Sequence, residues 1–261
     1  MTPVREKETL PSAEGSRPRL HTIDAFRGLA VVNMVAYHLL YDIFIVWGME
    51  PGWYLRPPVQ LWQQGICWSF ILVSGFVWQY GGGQLRRGLV CNFWGLVISA
   101  VTLFCLPSET IWFGILNFIG CAMILMLPLQ KALKRVSPAW GLAICFLLFL
   151  LFKEAQYGYL GLSGLFQIPL PQWLYGPKLL TPIGFPYPGF LSSDYFPLIP
   201  WMFLYLCGFF FNRIFVEHPQ WNPAACRKIP LFSALGRKSI WIYLIHQPLC
   251  MLVCIALFSL R

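Results

Sequence analysis

Long apolar runs alternate with short polar breaks along most of the chain. The runs lie at about 24–47, 59–80, 87–106, 110–128, 139–153, 196–216 and 238–259. A helix needs roughly 20 residues to cross the hydrocarbon core of a bilayer, and all but the fifth run reach about that length. The pattern predicts an all-α protein: a polytopic integral membrane helix bundle of about seven transmembrane helices.

Two segments break the pattern. Residues 1–18 mix Arg5, Glu6, Lys7, Glu8 and Glu14 with Pro and Ser, without an apolar core or a small-residue cleavage site. They are expected to form a mobile cytoplasmic tail rather than a cleaved signal peptide, ahead of a transmembrane domain at 19–261. The other break, at about 154–195, is the one long connection. It is rich in Gly, Pro and aromatics (YGYLGL, PLPQWLYGPK, PIGFPYPGF) and nearly free of charge. Long connections without secondary structure are usually lids, binding loops or disordered. Trp and Tyr at this density also suit a bilayer surface, and both readings stand.

Basic residues orient the bundle. Arg5, Lys7, Arg17 and Arg19 precede the first run, and Arg86 and Arg87 separate the second from the third. Lys131, Lys134 and Arg135 follow the fourth; Arg213, Arg227, Lys228, Arg237 and Lys238 lie between the sixth and seventh. The alternate connections hold only Arg56, Lys153 and Lys178, with Arg261 at the end. Cytoplasmic loops collect Lys and Arg, so the N-terminus is expected in the cytoplasm and the long connection outside.

Composition agrees. The chain is 57% hydrophobic and 11% charged, with a mean hydropathy of +0.61, whereas soluble domains carry roughly a quarter charged residues. The net charge of +9 follows the topology and forms no nucleic-acid face. The nine cysteines show no CxxC or Cys/His zinc spacing. They read as small buried side chains, and no metal is expected. No internal repeat supports an inverted-repeat transporter.

Against this background the ionisable residues of the first run need a reason, since charge within a span is costly. In FRGLAVVNMVAYHLLYD, eleven residues separate Arg27 from His38, about three turns and ~16 Å along a helix. Asp24 sits one turn before Arg27 and Asp42 one turn after His38. One face therefore reads Asp24, Arg27, Val31, Met34, His38, Asp42, and it must point into the bundle or a wet cavity. Asp24 and Arg27 can pair near the mouth, or Arg27 can meet an anionic ligand. Asp42 is placed to hold the His38 imidazole, an orienter–base arrangement suited to group transfer.

The last run, in GRKSIWIYLIHQP, adds His246 and Gln247, with His246 ~12 Å in from Lys238. They are candidates either for the site or for satisfying a carbonyl freed by Pro248. Asn117, in FGILNFIG, is placed to bond across helices. Asp194, in SSDYFPLIPW, either caps the sixth span or joins the outer rim of a site.

RLHTIDAFRGLAVVNMVAYHLLYD, FILVSGF, FGILNFIG, SSDYFPLIPW and LGRKSIWIYLIHQP resemble, in order, the blocks of the bacterial heparan-alpha-glucosaminide N-acetyltransferase-like membrane proteins, from about residue 19 to 258. The wider group of transmembrane acyltransferases shares an Arg followed eleven residues later by a His on an early helix, as Arg27 and His38 are here. The resemblance implies an enzyme of the bacterial cytoplasmic membrane that moves an acetyl or other acyl group from cytosolic acyl-CoA to an amino-sugar or other glycan acceptor outside. His38 would be general base or transient acyl carrier, with Asp42 and Arg27 beside it. Arg19, Arg27, Arg86, Arg87 and Lys131 would receive the polyanionic donor. Asp24, Asn117, Asp194, His246 and Gln247 are the candidate substrate contacts. Acetyl-CoA is the implied donor, membrane lipids surround the bundle, and a homodimer is compatible with it. The chain departs from the animal enzyme in having fewer spans and no extracytoplasmic domain.

A second reading fits the same stripe: a carrier, flippase or proton-coupled transporter, with the polar face as its pathway. A third is an accessory subunit whose stripe binds a partner helix.

Overall fold

The computed structural model describes residues 19–162 and 164–258, so the expected tail lies outside the described residues. Among these, ten helices follow in order: α1 (His21–Tyr41), α2 (Pro51–Tyr54), α3 (Pro57–Val77), α4 (Gln84–Cys105), α5 (Ile115–Leu133), α6 (Pro138–Phe152), α7 (Leu198–Glu217), α8 (Asn222–Ala225), α9 (Pro230–Arg237) and α10 (Ser239–Phe258). Proline opens α2, α3, α6 and α9, where its missing N–H costs nothing and its fixed φ already suits a helix. A π-helical turn over Asp42–Val46 prolongs α1.

Among the described residues, six helical segments are long and apolar enough to cross a membrane: His21–Val46, Gln84–Cys105, Ile115–Leu133, Pro138–Tyr157, Leu198–Glu217 and Ser239–Phe258. The expected second span forms α3, which at 21 residues has the length. Gln60, Gln63 and Gln64 lower its apolar content. The protein is thus an all-α polytopic membrane bundle. The fourth span starts at Ile115 rather than near residue 110 because Pro107 ends α4 and a 3₁₀ turn over Pro107–Glu109 follows. The long connection carries more structure than expected: β1 (Tyr159–Leu162) pairs antiparallel with β2 (Phe166–Pro169), and short 3₁₀ turns follow.

The helices pack in two groups. In the first, α3, α5, α6 and α7 enclose the fully buried Ile71, Phe118, Phe149, Tyr205, Phe209 and Phe210. α6 is apolar all round yet buries only Gly141, Cys145 and Phe149, one residue every four. The rest of its surface suits lipid, as expected of a helix without a polar face. Arg213 of α7 donates to the carbonyls of Leu133 (2.9 Å), Lys134 (3.2 Å) and Val136 (2.7 Å) at the end of α5 and just past it, satisfying helix-end acceptors with a cation.

The second group sets the site. α9 lies against the first turns of α1, where Gly28 and Gly236 allow contact: a Cβ on Gly28 would strike the Phe232 carbonyl, and one on Gly236 the Asp24 carbonyl. Ser233 Oγ donates to the His21 carbonyl at 2.9 Å, and Thr22 Oγ1 to the Ala224 carbonyl at 2.7 Å. α10 packs along the further half of α1. The start of α1 is thereby fixed from outside the main core, and the His38–Asp42 end of its polar face is turned toward α10.

Candidate active site

The polar face of α1 divides into two polar ends with an apolar layer between them. At the basic end, Asp24 accepts from Arg19 Nε at 2.8 Å, and Arg27 Nη1 lies 3.9 Å from its other oxygen. The expected Asp24–Arg27 pairing is present, but it is the looser of the two. A cavity of about 550 Å³ opens here, lined by Arg19, Asp24, Arg27, Tyr80, Gly81 and Arg87 among others. Glycine at 81 leaves room for the Arg87 guanidinium, which a Cβ there would strike. Arg86 and Lys131, expected beside these arginines, do not line the cavity. Arg86 is adjacent in sequence to Arg87, but consecutive helical residues point about 100° apart.

Val31 and Met34 form the apolar layer, at 1% and 4% exposure. Met34 packs with Tyr37, Tyr54, Val59 and Ile66, and Tyr243 of α10 borders the same cluster.

Beyond this layer α1 meets α10. The His38 and His246 rings lie edge to face with centroids 4.7 Å apart. His38 is half-buried, whereas His246 is 6% exposed. Nδ1 of His246 is 2.6 Å from the Tyr243 carbonyl. A carbonyl only accepts, so Nδ1 carries the proton and Nε2 the lone pair. That buried Nε2 has no hydrogen-bond partner among the described residues.

Asp42 is fully buried and opens the π-helical turn, in which the Trp47 N–H reaches its carbonyl at 2.9 Å. Such turns insert a residue into the helical phase and recur at functional sites. Asp42 was expected to hold His38. Its Oδ1 instead accepts from Gln247 Nε2 at 2.8 Å, and its Oδ2 has no partner among the described residues. The reason is the neighbouring helix: Gln247 reaches across from α10 and takes the carboxylate. Pro248 leaves the Leu244 carbonyl without its usual donor, yet His246 bonds the Tyr243 carbonyl and Gln247 bonds Asp42. Both residues point into the α1–α10 seam rather than repairing a kink.

Two candidates lie elsewhere. Asn117 belongs to the α4–α5 contact, with its amide against Gly95 and Nδ2 3.4 Å from the Asn92 carbonyl. Asp194 does not cap the helix it precedes. Its Oδ2 accepts from the Ile115 N–H at 3.3 Å, at the first turn of α5. Burial pushes its carboxyl up to about 6, against the opposing pull of that N–H. The folded protein therefore binds this proton more tightly than the unfolded chain does, and stability falls as pH rises from about 4 to about 6. Asp194→Asn keeps an acceptor and should flatten this slope. Asp194→Ala should cost about 1 kcal/mol through the lost cap. Thermal melts of the detergent-solubilised variants at pH 4.5 and 7.5 would check both.

One group was not anticipated. Glu109 accepts from Tyr41 Oη at 3.0 Å and from Ser193 Oγ at 2.8 Å, joining the end of α1 to the α4–α5 turn and the long connection. The Tyr54 ring packs near Tyr37 and Tyr41, at 5.1 and 5.6 Å. The only sequence sign was a carboxylate in a connection otherwise poor in charge. Among the described residues, no group of three His, Cys, Asp or Glu is placed to hold a metal ion.

These features define an integral membrane helix bundle in which one helix face carries an arginine-lined cavity at one end and, at the other, two adjoining histidines and a buried carboxylate. The family model described as heparan-alpha-glucosaminide N-acetyltransferase, catalytic, matches residues 19–248, and the chain belongs to that family. It is a membrane acetyltransferase. No curated protein and no solved structure matches it.

Proposed function

We propose that this acetyltransferase takes an acetyl group from acyl-CoA held at the arginine cavity and delivers it to an amino-sugar or other glycan acceptor at the far end of α1. The carrying observation is the single face of α1 that joins the two. Arg19, Arg27 and Arg87 converge at one end, and His38 with His246, Asp42 and Gln247 gather at the other. Guanidinium groups match phosphate geometry and bind it through charge-assisted hydrogen bonds, so the cavity suits the nucleotide end of coenzyme A. The basic end is then cytoplasmic, in keeping with the Lys and Arg of the connections.

His38 is the group that meets the reacting carbonyl, either as base toward the acceptor amine or as transient acyl carrier. Val31 and Met34 separate the two ends, so the donor arm reaches His38 once this layer opens. Glu109, Tyr41 and Ser193 stand where an acceptor would enter.

The deciding experiment uses purified protein in liposomes with labelled acetyl-CoA and glucosamine. Label in the sugar, with CoA released, supports transfer. Sugar flux without acyl-CoA consumption would instead establish a carrier. Arg87→Gln should raise KM for acetyl-CoA about tenfold, the equivalent of one charged hydrogen bond, with kcat little changed. Steady-state kinetics at two salt concentrations would check it, since screening weakens the wild type more than the variant.

A further inference from the structure

We infer that His246 is a positioning residue which takes up the second proton of His38, so that the two histidines of α1 and α10 work as one proton-holding unit. The inference rests on the acetyl-transfer reading and deepens it.

Three observations lead there. First, the Tyr243 carbonyl at 2.6 Å from Nδ1 fixes the His246 tautomer and turns the lone pair to Nε2. Second, Nε2 is buried without a partner among the described residues, an arrangement that costs free energy when it serves no purpose. Third, the ring beside it is His38, 4.7 Å away between centroids, and His38 is the more accessible of the two. His246 therefore does not meet substrate. It acts through His38, by way of the contact between the two rings. The neighbouring carboxylate makes no hydrogen bond to His38 among the described residues: Oδ1 of Asp42 accepts from Gln247 at 2.8 Å and Oδ2 has no partner.

The step balances without any further reactant. The acceptor amine attacks the thioester carbonyl, and one amine proton moves to the free nitrogen of His38. The new C–N bond forms and the C–S bond breaks, releasing the coenzyme A thiolate. As the charge develops, the His38 ring turns its own N–H onto the partnerless Nε2 of the adjoining His246 ring, forming the hydrogen bond along which that proton passes. The lent proton then returns from Nε2 of His246 to His38, and the amine-derived proton passes from His38 to the thiolate, leaving neutral rings, amide and thiol.

The test pairs kinetics with spectroscopy. His246→Gln should lower kcat roughly 100-fold, the usual scale for losing a proton-transfer partner, while KM for acetyl-CoA stays within about twofold. In ¹⁵N-histidine spectra of a protein whose His21 and His218 are replaced by Gln, one of the two remaining rings should be the Nδ1–H tautomer. That ring should be absent when His246 is also replaced. If the wild type turns over acetyl-CoA and His246→Gln keeps its kcat, or if both remaining rings are Nε2–H, the relay is wrong and the transfer reading stands. If the wild type does not consume acetyl-CoA, the transfer reading falls and takes the relay with it.

Discussion

His38→Ala is expected to lower acetyl transfer by roughly 10³-fold or more, with a folded protein remaining. The magnitude follows from removing the group proposed to handle the acceptor proton, a role that contributes about 10² to 10⁴ on its own. The fold should survive because His38 is only half-buried. The neighbouring polar contacts do not run through it: Gln247 holds Asp42 and Tyr243 holds His246. Acetyl-CoA should still bind, since Arg27, at the arginine cavity, lies about 16 Å away along the axis. The measurement is single-turnover transfer beside equilibrium binding of labelled acetyl-CoA. Transfer at the wild-type rate would remove His38 from the chemistry. Loss of binding together with transfer would mean that the substitution damaged the bundle.

The same residue shows how much of the site could be read from the sequence. Helical spacing placed Asp24, Arg27, Val31, Met34, His38 and Asp42 on one face, and the helix stays regular through Asp42, whose N–H still reaches the His38 carbonyl. Past Asp42 the π-helical turn shifts the phase, which a fixed helical period cannot anticipate. Nor can spacing within one helix reveal a partner 205 residues away, as Gln247 is from Asp42. His246 was visible as a histidine in an apolar run, but its pairing with His38 is a property of how α10 lies on α1. The basic cluster was read by sign rather than direction, so Arg86 and Lys131 were grouped with Arg87 although neither lines the cavity. The helices themselves were legible because ~20 apolar residues in lipid have few alternatives to a helix. The β1–β2 hairpin was not, since Gly and aromatic residues in YGYLGL suit an interfacial loop equally well.

The strongest expectation for stability concerns the crossing of α3 and α7. Gly75→Val or Gly208→Val should destabilise the bundle by at least about 3 kcal/mol, at or beyond the usual range for overpacking. A Cβ on Gly75 would collide with the Tyr205 carbonyl, and one on Gly208 with the Leu72 carbonyl. These neighbours are backbone atoms of helices, so no rotamer change can relieve them. The two helices would have to separate, exposing the cluster around Ile71, Tyr205 and Phe209, each at 0% exposure. Small residues permit close backbone approach in membrane bundles, where packing replaces much of the hydrophobic drive between helices. With total stabilities of about 5–15 kcal/mol, either valine should reduce the monodisperse protein recovered in detergent and lower its melting temperature. Gly65 supplies the control on the same helix, because a Cβ there meets nothing within 4 Å. Gly65→Ala should be neutral or stabilising by up to about 1 kcal/mol, through the helix preference of alanine alone. Equal behaviour of Gly75→Val and Gly65→Ala in size-exclusion profiles and thermal melts would show that α3 and α7 do not cross at these glycines. A selective loss at Gly75 and Gly208 would locate the contact that holds the α3–α7 core together, a core distinct from the α1–α10 seam where the histidines meet.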